Sequence, residues 1–209
     1  MFDGCAVFDV ERGQTDGALG KIWQNDTAAA KNSWGYTQGN QFKTVGEILR
    51  NMIEVVAKNG CFMLNIGPKA DGTICDQEKR ILLDIGKWLR VNGEAIYGSY
   101  PFEVCAFEGR KSKNGSFKEN KTFRNGDYCF TVKPGKIFVF PLAETLPQIL
   151  KIKSLRFAGE GGIRYDIKSV RILGQSRELP YKQSEKRFEI TLPSKMKNDI
   201  PICIEINVE

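Results

Sequence analysis

The hydrophobic period of this chain changes once, near residue 100, and that change sets what it can fold into. Before it, apolar residues recur at helical spacing in two places. Residues 43–58 carry Val45, Ile48, Leu49, Met52, Ile53 and Val56, and residues 76–91 carry Ile81, Leu82, Ile85, Trp88 and Leu89. Each stripe covers one helical face and predicts a helix packed on one side. Thr44 and Glu47 have the spacing of a capping box, and Asn59-Gly60 and Asn92-Gly93 supply left-handed stops. Short apolar runs at 6–10 (AVFDV) and 61–66 (CFMLNI) read as buried strands, and 67–72 (GPKADG) as a loop built from turn residues. Past residue 100 the helical stripes stop. Runs at 128–132, 137–140, 149–157, 167–173, 187–192 and 202–208 are short, β-branched and aromatic, and separated by Gly, Pro and Asn. Phe188, Ile190 and Leu192 alternate, as do Ile202, Ile204, Ile206 and Val208, which predicts an antiparallel sandwich.

The first part therefore has the rhythm of a parallel βα sheet or an eight-stranded barrel. Its two or three strands are too few to close one, and alone they leave an open edge, so a partner segment upstream is expected. The boundary falls near residues 97–101: 1–99 as the C-terminal portion of a barrel-like unit, 100–209 as a β-sandwich.

Charge and cysteine content remove other classes. Residues 1–100 hold 11 Lys+Arg against 12 Asp+Glu, and 101–209 hold 20 against 13. The basic side chains are scattered, without a basic helix or recognition motif, and read as a solvated surface rather than a nucleic-acid site. No apolar run approaches a membrane span, and the first residues lack the basic and apolar regions of a signal peptide. There is no histidine and no pair of cysteines spaced C-x-x-C, which removes a zinc site built on His. Cys61 and Cys203 lie in strand-like runs and are expected to be small buried apolar residues. Phosphate-binding loops, nucleophilic triads and dinucleotide motifs are absent. Acceptor patterns for N-glycosylation occur at Asn25, Asn114 and Asn120.

Three segments in order carry a family resemblance: Ser33-Trp34-Gly35-Tyr36, then 61–72 (CFMLNIGPKADG), then 85–97 (IGKWLRVNGEAIY). Their order and spacing resemble the retaining α-L-fucosidases over roughly residues 8–102. The β-rich remainder matches that family's accessory domain in character only. The resemblance implies a (β/α)-barrel glycosidase that removes terminal α-linked L-fucose from oligosaccharides and glycoconjugates, without metal or organic cofactor. It also implies a parent family typically secreted, periplasmic or lysosomal. Retaining hydrolysis uses two carboxyl groups about 5–5.5 Å apart, one attacking the anomeric carbon and the other serving as acid and then base.

On this resemblance Glu11, at the end of the 6–10 strand, is the acid/base candidate. In some branches that Glu directly follows a Trp shortly before Trp-Gly-Tyr, but here the place is Trp23-Gln24, and an amide cannot exchange the proton. The competing role for Glu11 is an ion pair with Arg12 or another cation. Trp34 is the candidate sugar-stacking residue, or else a buried core tryptophan. Asn65 is expected to bond a neighbouring loop, Trp88 to be core, and Glu94 to be a surface or domain-contact residue. Asp3, in Phe2-Asp3-Gly4, has the local look of the nucleophile. It lies only eight residues before Glu11, however, and one strand cannot easily present both groups. The nucleophile and sugar-binding histidines are therefore expected in a missing upstream barrel half. A competing reading is an inactive carbohydrate-binding or interaction module, with aromatics such as Phe102, Phe107, Phe117, Phe123 and Tyr128 forming a sugar face.

Overall fold

The computed structural model describes residues 6–103, 106–110, 114–119, 122–156 and 165–209. Asp3, Cys5, Cys105 and Asn120 lie outside them. The chain forms two compact units. One runs to Arg90 and includes residues 114–119. The other begins at Val91 and takes in the rest. The structure thus divides the chain some ten residues before the boundary read from the sequence, and it returns a short later segment to the first unit.

In the first unit, β1 (Phe8–Asp9), β2 (Trp23–Ala28) and β3 (Gly60–Asn65) form a parallel sheet in the order β1-β2-β3. Phe8 is in register with Trp23, and Trp23 with Gly60. Helix α1 (Val45–Ala57) connects β2 to β3, and α2 (Asp76–Asn92) follows β3. The capping box forms as expected: Glu47 N–H donates to Thr44 Oγ1 (3.1 Å), and Thr44 N–H to Glu47 Oε2 (2.6 Å). Asn59 takes the left-handed conformation (φ 68°) that stops α1. Strand alternation gives the sheet two unlike faces. On one, Trp23 is fully buried with Val10 and Val55, and its indole N–H donates to the Lys58 carbonyl (2.9 Å). Gly60 is required there, because a Cβ would stand 2.7 Å from the indole. The other face carries Asp9, Gln24, Asp26, Cys61 and Met63, in register across the three strands. Cys61 is exposed, not buried. The strand was read correctly, but its inner and outer positions were not, because Cys61 and Met63 share the face that α1 does not cover. Strand β2 itself was missed.

The second unit is antiparallel. It opens with a 3-10 turn (Gly93–Ala95) and contains β4 (Tyr100–Pro101), β5 (Phe107–Glu108), β6 (Tyr128–Lys133), β7 (Lys136–Pro141), β8 (Thr145–Leu146), β9 (Ile149–Ile152), β10 (Ile167–Ile172), β11 (Tyr181–Gln183), β12 (Phe188–Thr191), β13 (Met196–Lys197) and β14 (Ile204–Val208). One sheet runs β10-β14-β7-β6-β4, with β5 also on β6; another runs β11-β12-β9; and β13 pairs with β8. The β6–β7 hairpin turns on Pro134-Gly135, with Gly135 at φ 72°, the geometry of a Pro-Gly turn. One buried cluster draws Phe130, Val139, Val170 and Ile206 from the large sheet and Leu150, Ile152, Phe188 and Ile190 from the smaller. Phe102 and Tyr128 belong to this core, and Phe117 belongs to the other unit. Cys203 is buried as expected. Glu205 on β14 is fully buried and is held by Arg171 (2.8–2.9 Å) and Lys136 (3.4 Å). Lys136 also donates to Glu94 (2.5 Å), so Glu94 serves as an anchor inside this unit.

Candidate active site

The parallel sheet aims the C-terminal ends of its strands at one rim, and the residues that follow those ends form the candidate site. After β1 come Glu11 and Arg12. After β2 comes the turn through Lys31 to Tyr36, and after β3 the Gly67-Pro68 loop.

Arg12 organises the rim. It adopts a left-handed backbone (φ 45°), and its guanidinium donates to the carbonyls of Ala30 (3.3 Å), Lys31 (2.8 Å) and Ser33 (3.1 Å). It also lies over the Trp34 ring, 4.5 Å from the centroid. The competing role for Glu11, a pair with Arg12, is thereby removed, because that guanidinium is committed to three carbonyls and an indole. Among the described residues no cation pairs with the half-buried Glu11 carboxylate. Trp34 is 37% exposed and so is not a core residue. Asn65 donates to the Trp34 carbonyl (2.6 Å), the loop-bonding role expected of it. Gly67 is needed for close approach, since a Cβ there would lie 2.6 Å from the Tyr36 nitrogen and 2.7 Å from the Gly35 carbonyl carbon. Its N–H donates to the buried Glu78 of α2 (3.1 Å). The first two motif segments thus hold each other at the rim, with α2 behind them.

Below Glu11, on the face away from α1, acidic groups cluster. Gln24 donates to Asp9 (3.0 Å). Burial first, then a shared hydrogen bond with Asp9 and the charges of Asp9 and Glu11, push Asp26 above the usual carboxylate range. Gln24, the residue at the alternative acid/base place, thus sits among carboxylates without itself being able to exchange a proton.

A second polar network lies on the α1 side. Glu119 accepts from Lys43 (2.6 Å), Asn51 (2.9 Å) and the Thr27 hydroxyl, and Lys43 also donates to Thr27 (2.7 Å). Gln14 extends the network through Asn51 (2.6 Å). Desolvation lowers the Lys43 pKa, opposed by its bond to Glu119. Arg12 was weighed in the sequence only as a partner for Glu11, and Asp9, Asp26, Lys43 and Glu119 were not singled out at all. Glu119 gave no signal, lying 92 residues from Thr27. Asn25, one of the glycosylation patterns, is fully buried and donates to the carbonyls of Val10 (3.1 Å) and Gly13 (2.9 Å), so the folded chain does not offer it as an acceptor.

Known proteins resemble this chain along the same residues. A family model described as Alpha-L-fucosidase matches residues 4–94. Tissue alpha-L-fucosidase of Rattus norvegicus is 40% identical over 85 residues, 39% of this chain and 18% of that protein. Plasma alpha-L-fucosidase of Homo sapiens is 27% identical over 183 residues, 86% of this chain and 35% of that protein. The chain thus spans about a third or less of these relatives. Among solved structures, the Thermotoga maritima alpha-fucosidase in complex with fucose superposes with a TM-score of 0.70 at 28% identity, covering 92% of this chain and 41% of that one. Motif order, family model and superposition agree, and over residues 4–94 the chain matches the alpha-L-fucosidase family.

Proposed function

We propose that this chain supplies the acid/base side of an α-L-fucosidase active site, acting on terminal α-L-fucosyl residues of oligosaccharides and glycoconjugates with retention. Residues 1–99 are read as the terminal βα units of a (β/α)8-like barrel and 100–209 as an accessory β-sandwich. Glu11 is the acid/base, and Trp34 stacks on the sugar. The nucleophile is expected from a segment upstream of the β1–β3 sheet, with Asp3 the candidate within the chain. The observation that carries the reading is a carboxylate without a cation partner among the described residues, at the C-terminal end of a parallel strand and next in sequence to Arg12, whose guanidinium lies over an exposed tryptophan. Barrel enzymes hold their catalytic groups at that end of the strands. A carboxylate committed to a salt bridge would be a poor proton donor, and Glu11 is not so committed. The similarity to a fucosidase that binds fucose supports the choice of sugar.

The test is titration of the 209-residue chain with methyl α-L-fucoside, together with hydrolysis of an aryl α-L-fucoside by the chain and its Glu11→Gln form. Binding without turnover is the expected result and fits a nucleophile supplied from outside these residues. Turnover that Glu11→Gln reduces by about a hundredfold or more would put both carboxylates within the chain and make Asp3 the nucleophile. Neither binding nor turnover would overturn the proposal.

A further inference from the structure

The large sheet of the second unit ends in an apolar row that stays partly open to solvent. Tyr100 on β4 is in register with Val132 on β6, and Val132 with Ile137 on β7, so these side chains share the core face. Further along that face Phe130 and Val139 are fully buried, whereas here Tyr100 is 65% exposed and Val132 and Val208 are half-buried. Phe102 packs behind them, its ring centroid 5.6 Å from that of Phe130 and 5.9 Å from that of Tyr165. The result is a cavity of about 460 Å³, with Tyr100, Phe102 and Tyr165 in its apolar lining and Glu103, Lys133 and Lys136 as its charged groups. That volume lies within the roughly 300–1,000 Å³ of common ligand pockets. Lys136 is committed to Glu94 and Glu205. The side chains of Glu103 and Lys133 and the Tyr165 hydroxyl are not committed, having no hydrogen-bond or ion-pair partner among the described residues. Burial first, and then the Glu103 charge, raise the Tyr165 pKa, so its hydroxyl stays protonated and can both donate and accept.

We propose that this cavity binds one neutral sugar ring of a glycan, stacked on Tyr100, with its hydroxyls donating to Glu103 and accepting from Lys133 and Tyr165. A pyranose has a face of C–H groups and an edge of hydroxyls that both donate and accept. The cavity offers the counterpart of each: an open aromatic ring, and uncommitted polar groups of both kinds. The ligand is neutral because the two uncommitted charges are of opposite sign. An extended peptide does not suit the place. Strand β4, which ends the sheet here, is two residues long, and its second residue, Pro101, has no N–H to offer an added strand. Of the aromatic residues considered from the sequence as a sugar face, Phe102 alone takes part, and it does so from behind the platform. Every residue of the cavity lies in the second unit, and the inference does not rest on the role of Glu11.

The experiment is an NMR titration of the full chain with the methyl glycosides of galactose, glucose, mannose and L-fucose, and with methyl glucuronide as a charged control. Amide shifts of Tyr100, Phe102 and Lys133 read this cavity, and those of Glu11 and Trp34 read the rim of the first unit. The expected result is that at least one neutral glycoside shifts the first set saturably. Tyr100→Ala then raises its Kd about three- to tenfold, the size of one lost aromatic contact, and Tyr100→Phe behaves as wild type. Thermal melts check that each variant keeps the fold. Lys133→Met, which removes a donor and keeps the stem, is a second variant expected to weaken binding about threefold. If no neutral glycoside moves these amides, or if both Tyr100→Ala and Lys133→Met bind as wild type does, the site is overturned. Binding of the glucuronide alone would overturn the neutral class. A fucoside that moves only the Glu11 and Trp34 amides, with the other glycosides silent, would overturn this site and leave the active-site reading in place. Shifts at Tyr100 with none at Glu11 or Trp34 would keep this site and count against that reading.

Discussion

Two buried or crowded charges in the first unit carry opposite consequences. Glu54 and Lys58, one turn apart on and just past α1, form a fully buried pair at 2.7 Å, and Lys58 also donates to the Thr15 carbonyl (2.8 Å). Removing one partner strands the other charge away from water, so Glu54→Ala is expected to cost about 3–5 kcal/mol in urea denaturation, far more than an exposed i,i+4 pair would. A loss below about 1 kcal/mol would mean that Lys58 finds other compensation. Asp26 behaves in the opposite sense. Its folded pKa is raised by burial and by Asp9, so protonation favours the fold. The stability this contributes is present below the unfolded pKa and is lost as pH rises through the folded value. Asp26→Asn should therefore be more stable than wild type at neutral pH, with the gap closing as pH falls. Thermal melts between acid and neutral pH test this, and a variant equally destabilised at every pH would contradict it.

At the scale of elements, what the sequence disclosed depended on whether local chemistry or distant packing made the element. The start of α1 was legible because Thr44 and Glu47 satisfy the free amides of the first turn by themselves. Thr44→Ala should cost about 1 kcal/mol, read as a shift in the denaturation midpoint, and a neutral result would show that the α1 start is held by packing alone. Asn59 and the alternating strands of the second unit were likewise legible from local pattern, whereas Gly60 answers to the distant Trp23 indole. Strand β2 was not. Its residues Trp23–Ala28 include Gln24, Asn25, Asp26 and Thr27, which no hydrophobic pattern marks as a strand. Asn25 and Thr27 face inward, where the carbonyls of Val10 and Gly13 accept from the Asn25 amide and Glu119 accepts from the Thr27 hydroxyl, partners that only the fold supplies. Asp9, Gln24 and Asp26 face the side that α1 leaves uncovered. The candidate site was legible to the same extent. Glu11, Trp34 and Asn65 could be named from motifs, whereas the role of Arg12 needed the turn after β2 to bring three carbonyls within its reach.

For the whole molecule, the consequential fact is that the chain does not divide in two at a single point. Residues 114–119 lie within the sequence of the β-rich half but pack with the first unit, where their backbone bonds to residues 11, 12 and 14 and Glu119 completes a half-buried network. A β-rich tail joined by a simple linker would leave residues 1–99 able to fold without it. Here the removal of residues 114–119 strips Lys43 of its carboxylate and Asn51 of an acceptor. The fragment 1–99 is accordingly expected to lose its cooperative urea transition, or to unfold at a markedly lower midpoint than the same residues in the full chain. Glu119→Gln in the full chain isolates the electrostatic part. It leaves the backbone bonds in place, removes the charge facing Lys43, and should cost about 2 kcal/mol, less than a fully buried pair because both side chains keep some exposure. Hydrogen exchange at β2 and α1 amides reads both variants at the place where the effect should appear. If the 1–99 fragment protected those amides as well as the full chain does, the returning segment would be an ornament on a unit that is complete without it. If protection falls in both variants, and further in the fragment, the first unit is finished only when the later sequence comes back to it.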